Sequence, residues 1–151
     1  MQSFQSGARL IRAITFTIVL SSISIGTAYA QKCLHGSNQT PDQAARRREA
    51  LTATRTINNI QANRPAAING SYLRHVELAD APYASKMRES TDATARRISL
   101  SPDADILPGW KLTLDVSENG YWFMIKDTTD ACGFAFISNQ SGLIFTAEPI
   151  R

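Results

Sequence analysis

The chain has little of what catalysis usually draws on. Its 151 residues include two histidines and two cysteines, and none of them falls in a metal-ligand pattern such as His-Glu-x-x-His. It has neither a Gly-x-Ser-x-Gly nucleophile turn nor a Gly-x-x-x-x-Gly-Lys phosphate loop. The familiar zinc, serine-hydrolase and nucleotide-binding signatures are therefore missing. No catalytic, cofactor-binding or metal-binding residue is assigned, and the expectation is a protein that is not an enzyme and carries no cofactor. Long apolar runs are equally scarce. Only residues 13–25 form one, and Thr15, Thr17, Ser21, Ser22 and Ser24 dilute it. A membrane-spanning helix needs about 20 strongly apolar residues, which this run does not supply.

That run has the flanks of a targeting segment. Arg9 and Arg12 precede it and Ala28-Tyr29-Ala30, a small-x-small triplet, follows it. Residues 1–30 are thus expected to be a cleaved signal peptide, leaving Gln31 at the new N-terminus of a secreted or periplasmic protein. The pair Gln31-Lys32 before Cys33 does not suit lipid attachment. The formal charge of +3 and pI near 9.1 shrink when Arg9 and Arg12 leave. Basicity therefore gives no ground for nucleic-acid binding. Charge is nevertheless segregated: residues 31–100 hold 11 basic and 6 acidic side chains, residues 101–151 hold 3 and 7.

What remains suits one domain, residues 40–151, behind a polar lead-in at 31–39. In an oxidising compartment Cys33 and Cys132 are expected to form a disulfide. The other reading of the first cysteine, a Cys33-x-His35 metal or nucleophile pair, has no further Cys/His spacing behind it. Thr40, Pro41 and Gln43 make a capping box that starts a helix, and Pro65 disfavours its continuation. From Pro41 to Ala62 the helix would run roughly 33 Å. Its apolar stripe of Ala50, Ala53, Ile57 and Ile60 is narrow, so it needs a sheet to lean on. Residues 65–109 are expected to be variable, with a short helix or irregular anchored stretch at 72–78 and little to bury at 84–97. Beyond them Trp110, Leu112, Leu114 and Val116 alternate with polar residues as one strand. Ser117-Glu118-Asn119-Gly120 is a hairpin turn. Strands at 121–126, 133–138 and 143–147 follow, separated by further turn residues. The predicted class is α+β: one long N-terminal helix packed on a C-terminal antiparallel four-stranded meander.

This order resembles that of type IV pilins and type II secretion pseudopilins. Glu49-Ala50-Leu51 through Arg55-Thr56-Ile57-Asn58 to Gln61 is similar to their helix beyond the membrane. Gly70-Ser71-Tyr72 and Glu77-Leu78-Ala79 look like the loop that follows. Gly109-Trp110-Lys111-Leu112 and Gly120-Tyr121-Trp122-Phe123 resemble the first two strands of the head, and Gly142-Leu143-Ile144-Phe145 with Ala147-Glu148-Pro149 the closing one. The resemblance spans roughly residues 44–149 and implies a non-enzymatic module acting by protein contact at the cell envelope. It departs at the front. The prepilin pattern puts a glutamate at the fifth position after the cleaved glycine; here Gly7 is followed at that distance by Arg12. The resemblance thus implies a pilin-type head on an exported domain with no membrane attachment once the signal is removed.

Several residues are candidates for contact. Trp110, Tyr121 and Trp122 lie on or beside adjacent strands, and alternation puts Trp122 opposite Tyr121. An exposed aromatic there suits a protein partner or, as the second reading, a glycan. Arg46, Arg47 and Arg48 offer an anion contact, but successive helical residues point about 100° apart and read better as a solvated run. Asp103 with Asp105, and Asp127 with Asp130, suit calcium or, equally, turns. His35 and His75 read as incidental. Asn38-Gln39-Thr40, Asn69-Gly70-Ser71 and Asn139-Gln140-Ser141 are glycosylation acceptor triplets, of consequence only where that machinery exists.

Overall fold

The capping box makes the first helix. Thr40 Oγ1 accepts from the Gln43 backbone N–H, and Gln43 Oε1 accepts from the Thr40 N–H. These bonds satisfy two donors that a helix start leaves unpaired. In the computed structural model, which describes residues 33–36, 39–64 and 71–148, helix α1 then runs Pro41–Ala62. Residues 1–30, and with them the expected signal peptide, lie outside the described residues. Ala50, Ala53, Ile57 and Ile60 of α1 are all fully buried, and the two alanines let the helix approach its neighbours closely.

The class is α+β, with a four-stranded antiparallel sheet in the order β1-β2-β3-β4. Its strands are β1 (Trp110–Ser117), β2 (Gly120–Asp127), β3 (Ala135–Asn139) and β4 (Ile144–Ala147). Sequence-adjacent strands pair throughout, as the evenly spaced turns predict. Opposite Ser117 stands Gly120, so the first hairpin loop is Glu118-Asn119 and the glycine itself begins β2. Gly120 packs against the amide end of the exposed Gln140 side chain. Before β1, the Trp110 N–H donates to the Leu107 carbonyl at 2.8 Å, with Pro108 and Gly109 between. Gly109 has φ +76°, so this is a type II turn in which proline presets one position and glycine permits the next. β3 begins at Ala135 rather than at Gly133, because Gly133 adopts φ +70° and ends the preceding turn.

α1 covers one face of the sheet. Asn58 fixes it there: its amide donates to Ser138 Oγ at 2.9 Å and its carbonyl accepts from Tyr121 Oη at 3.0 Å. Between them Phe123, Ile125, Phe134, Phe136, Trp110 and Leu112 complete the core. The described part of the middle segment carries a 3-10 helix at His75–Asp80 and two short helices, α2 (Pro82–Arg88) and α3 (Ala93–Arg97). It buries Leu73, Leu78, Ala84, Met87, Ile98, Leu100, Ile106 and Leu107. Between residues 84 and 97, where the sequence offers little large apolar surface, the buried side chains are Ala84, Met87 and Ala95. Gln61 shows how the segment is anchored. Fully buried, its amide group donates to the Leu73 carbonyl at 2.7 Å and accepts from the Leu73 N–H at 2.9 Å.

Candidate contact surface

Cross-strand partners point to the same side of a sheet, so the register defines the face that α1 leaves open. Lys111 stands opposite Lys126, Thr113 opposite Met124, and Asp115 opposite Trp122. Met124 continues to Ile137 and Trp122 to Asn139, and Ile137 continues to Phe145. The central row of this outer face is therefore Thr113, Met124, Ile137 and Phe145. Trp122 is 43% and Phe145 53% exposed, large values for side chains of this size. The Trp122 indole N–H donates to Asp115 Oδ2 at 3.1 Å, which orients the ring across its neighbouring strand. Two depressions open onto this side. One of about 380 Å³ is bounded by Lys111, Thr113, Met124, Lys126 and the β2–β3 loop. The other, about 200 Å³, lies between Trp122, Asn119, Ser117 and Gln140 at the opposite end.

Of the three aromatics taken together as a contact surface, only Trp122 is exposed. Trp110, at 1% exposure, is a core residue packed edge-on to Phe134 and stacked near Phe136. Tyr121 is also buried and stacks on Phe123, with Tyr72 across it. Trp110 and Tyr121 sit at strand positions that face α1, and this removes both from the contact set.

A second cluster forms at the Asp127 end of β2, under the start of α1. The expected disulfide is present, with Cys33 and Cys132 Cα atoms 5.2 Å apart, and it holds residues 33–36 against the β2–β3 loop. Asp130 reinforces the attachment: its carboxylate accepts from the backbone N–H groups of Leu34, Cys132 and Phe134 at 3.0–3.3 Å. His35 is thereby inserted beside Trp110 and Phe134, with ring centroids 5.5 and 4.5 Å away. Its Nε2 lies 2.8 Å from Asp127 Oδ2, both groups being buried. A carboxylate only accepts, so Nε2 carries the proton. Nδ1 is buried and without a hydrogen-bond partner among the described residues. The remaining Asp127 oxygen accepts from Thr129 N and Oγ1 at 2.8 and 2.7 Å, with Arg46 at 3.4 Å. Burial pushes the Asp127 carboxyl up, but the bonds from His35 and Thr129 and the Arg46 charge together outweigh it and hold the group below its ordinary value.

The arginine run thus finds an anion, but an internal one. Arg46 serves Asp127 and lies 6.0 Å over the Trp110 ring. Arg47 sits 4.7 Å over Phe134 and reaches Glu148 at 3.9 Å. Arg48 is exposed. Their divergence is what helical geometry requires. Three of the four aspartates weighed for calcium are likewise occupied: Asp127 and Asp130 as described, and Asp105 by the Gly109 N–H; Asp103 is exposed. No group of three or more metal-ligating side chains occurs among the described residues. His75 is part-buried, and desolvation lowers its pKa while the Asp103 charge opposes that shift. Asn139 caps its own turn, accepting from Ser141 N and Oγ; the other two acceptor triplets lie partly outside the described residues, their asparagines included. His35 was legible only as a residue near a cysteine. Comparisons with protein-family models, with curated proteins and with solved structures returned no match.

Proposed function

We propose that this chain is an exported, non-enzymatic, pilin-like domain that acts by protein contact at the cell envelope. The observation that carries the reading is the outer sheet face. It is an apolar row flanked by Trp122, on the side away from α1, with two of its large side chains about half exposed. Contiguous apolar surface of this kind marks interaction sites on soluble domains, and Trp is the residue most enriched at interface centres. Export is supported by the Cys33–Cys132 bond, which persists in oxidising compartments. No helix among the described residues is long and apolar enough to cross a membrane. The pilin-like reading rests on a long helix that precedes an antiparallel meander and packs on one face of it.

A photo-crosslinking residue at Trp122 or Phe145, compared with one at exposed Lys86, tests this in intact cells. Discrete protein adducts from the sheet positions alone are expected. Their absence, with adducts from neither position, refutes the reading.

A second reading, glycan binding, has one observation in its favour: Trp122 is exposed beside the depression that carries Asn119, Ser117 and Gln140. An aromatic plane with adjacent amides and hydroxyls is the chemistry a sugar ring recognises. Trp122 and Trp110 are the two tryptophans, and Trp110 is buried. Glycan titration should then quench the exposed emitter selectively, and a flat titration across sugar classes removes this reading.

A further inference from the structure

We infer that the partner of the outer face is the same face of a second copy of this chain, related by a twofold axis that runs midway between the two sheets, parallel to them and across the strands. The inference rests on the reading of that face as a contact surface and names its occupant. Three rows succeed one another along the strands. Lys111 and Lys126 form the first, Thr113, Met124, Ile137 and Phe145 the second, and Asp115, Trp122 and Asn139 the third. Each row is about 7 Å from the next, two residues along a strand. The face is therefore basic at one end, apolar at its centre, and acidic and aromatic at the other.

Like charges directly opposite on neighbouring strands are destabilising, and neither lysine enters an ion pair among the described residues. Within one copy this arrangement has no evident use. The twofold operation reverses strand direction while keeping each strand over its counterpart. It sets Lys111 against Asp115 of the second copy, and Lys126 against the second copy's Trp122. The apolar row lies on itself. Trp122 meets the rim of the 380 Å³ depression between Lys111, Thr113, Met124 and Lys126, where two ammonium groups and a thioether suit an indole. Knob and hollow are thus spaced symmetrically about the central row. An unrelated partner would require no such symmetry; a self-complementary pairing does.

Size sets the strength. Strands of eight, eight, five and four residues present about 400 Å² from each copy, at about 3.3 Å per residue and 4.8 Å per strand. The total, about 800 Å², is below the usual size of a stable specific interface and suits a transient one. Association should therefore be weak, with half-dimerisation at tens to hundreds of micromolar. The roughly 30° angle of aligned sheet packing leaves Lys111 and Asp115 within reach of each other.

Sedimentation of the full chain with its disulfide intact, from about 5 to 500 μM, measures this. Lys111→Asp and Asp115→Lys should each weaken the dimer by about tenfold or more, since each sets like charges in contact twice. An equimolar mixture of the two variants should recover dimers, because both contacts then pair opposite charges. Association through the apolar run at residues 13–25 would not respond to this exchange. A chain that stays monomeric to 500 μM overturns the inference, and so does a dimer indifferent to both variants or not recovered on mixing. In either case Trp122-dependent crosslinks to an envelope protein would leave the contact reading standing. Their absence as well would remove both.

Discussion

Replacing Asp127 by alanine removes an acceptor on which four donors converge: His35 Nε2 at 2.8 Å, Thr129 N and Oγ1, and Arg46. The donors are not equivalent. Thr129 is exposed and the Arg46 side chain is about one-third exposed, so water replaces most of what they lose. The His35 side chain is 1% exposed, and its N–H would be stranded. An unpaired buried donor costs about 1–3 kcal/mol, and a hydrogen bond to a charged group contributes about 1.5–3 kcal/mol. A loss of about 3–4 kcal/mol is expected, a large part of an ordinary stability of about 5–15 kcal/mol. Urea unfolding at pH 7 with the disulfide intact should show the midpoint falling by about 2 M at unchanged slope, taking about 1.5–2 kcal/mol per molar for a chain of this size. Asp127→Asn, which keeps one accepting oxygen, should lose less. The pH dependence supplies an independent check. A carboxyl held below its ordinary value binds fewer protons folded than unfolded. Its contribution is full above the unfolded value, near pH 4, and disappears as pH falls through the folded value. The wild-type chain should therefore lose stability on acidification more steeply than Asp127→Asn. A loss below about 1 kcal/mol for the alanine variant, with parallel acid profiles, would refute the account of this cluster.

Cys132→Ser opens a loop spanning 99 residues and should cost about 4–5 kcal/mol in the chain-entropy estimate. Because the bond is also what delivers His35 to Asp127, adding His35→Ala to it should cost less than His35→Ala alone; additive losses in a double-mutant cycle would show the two are independent. Gly109→Ala introduces a Cβ at φ +76°, 2.9 Å from Thr129 Cγ2 and 3.0 Å from Arg46. It should cost about 1–3 kcal/mol in thermal or urea unfolding, whereas an unchanged midpoint would contradict the turn geometry. Trp122→Ala should change stability by less than about 0.5 kcal/mol, as an exposed substitution, while abolishing the crosslinks formed from position 145; a large stability loss would mean that the ring is structural.

The helix and the strands were legible because their signals are local. Thr40, Pro41 and Gln43 mark a start within four residues, and the alternation from Trp110 to Val116 marks a face within seven. That Trp122 and Tyr121 take opposite sides of β2 could be read from the same alternation. Trp110 alternates with Lys111, Thr113 and Asp115 and so falls on the apolar side of β1, but the side that Tyr121 takes was not legible, because β2 is apolar on both faces and alternation does not tell which one a helix will cover. His35 was misjudged for a different reason. Its burial depends on a disulfide and on Asp127, 92 residues away, and no local pattern records either. Gln61 is the same case: its partner is the backbone of Leu73, which carries no residue-specific signature. The short helices of the middle segment bury mainly single or small side chains, too few for a periodicity to emerge.

The placement of Cys33 and Cys132 also orders events in time. Synthesis delivers the N-terminal cysteine first, and its partner arrives only with the turn between β2 and β3. Throughout that interval the Cys33 thiol has no intramolecular alternative, since the chain contains two cysteines only. Mispairing within one molecule is therefore impossible. The hazard is a second nascent chain, whose own waiting thiol is chemically identical. Cys132 precedes β3 and β4, so every residue of the His35–Asp127 cluster except Phe134 has been delivered by the time the second thiol arrives, and closure of the bond does not wait for the last two strands.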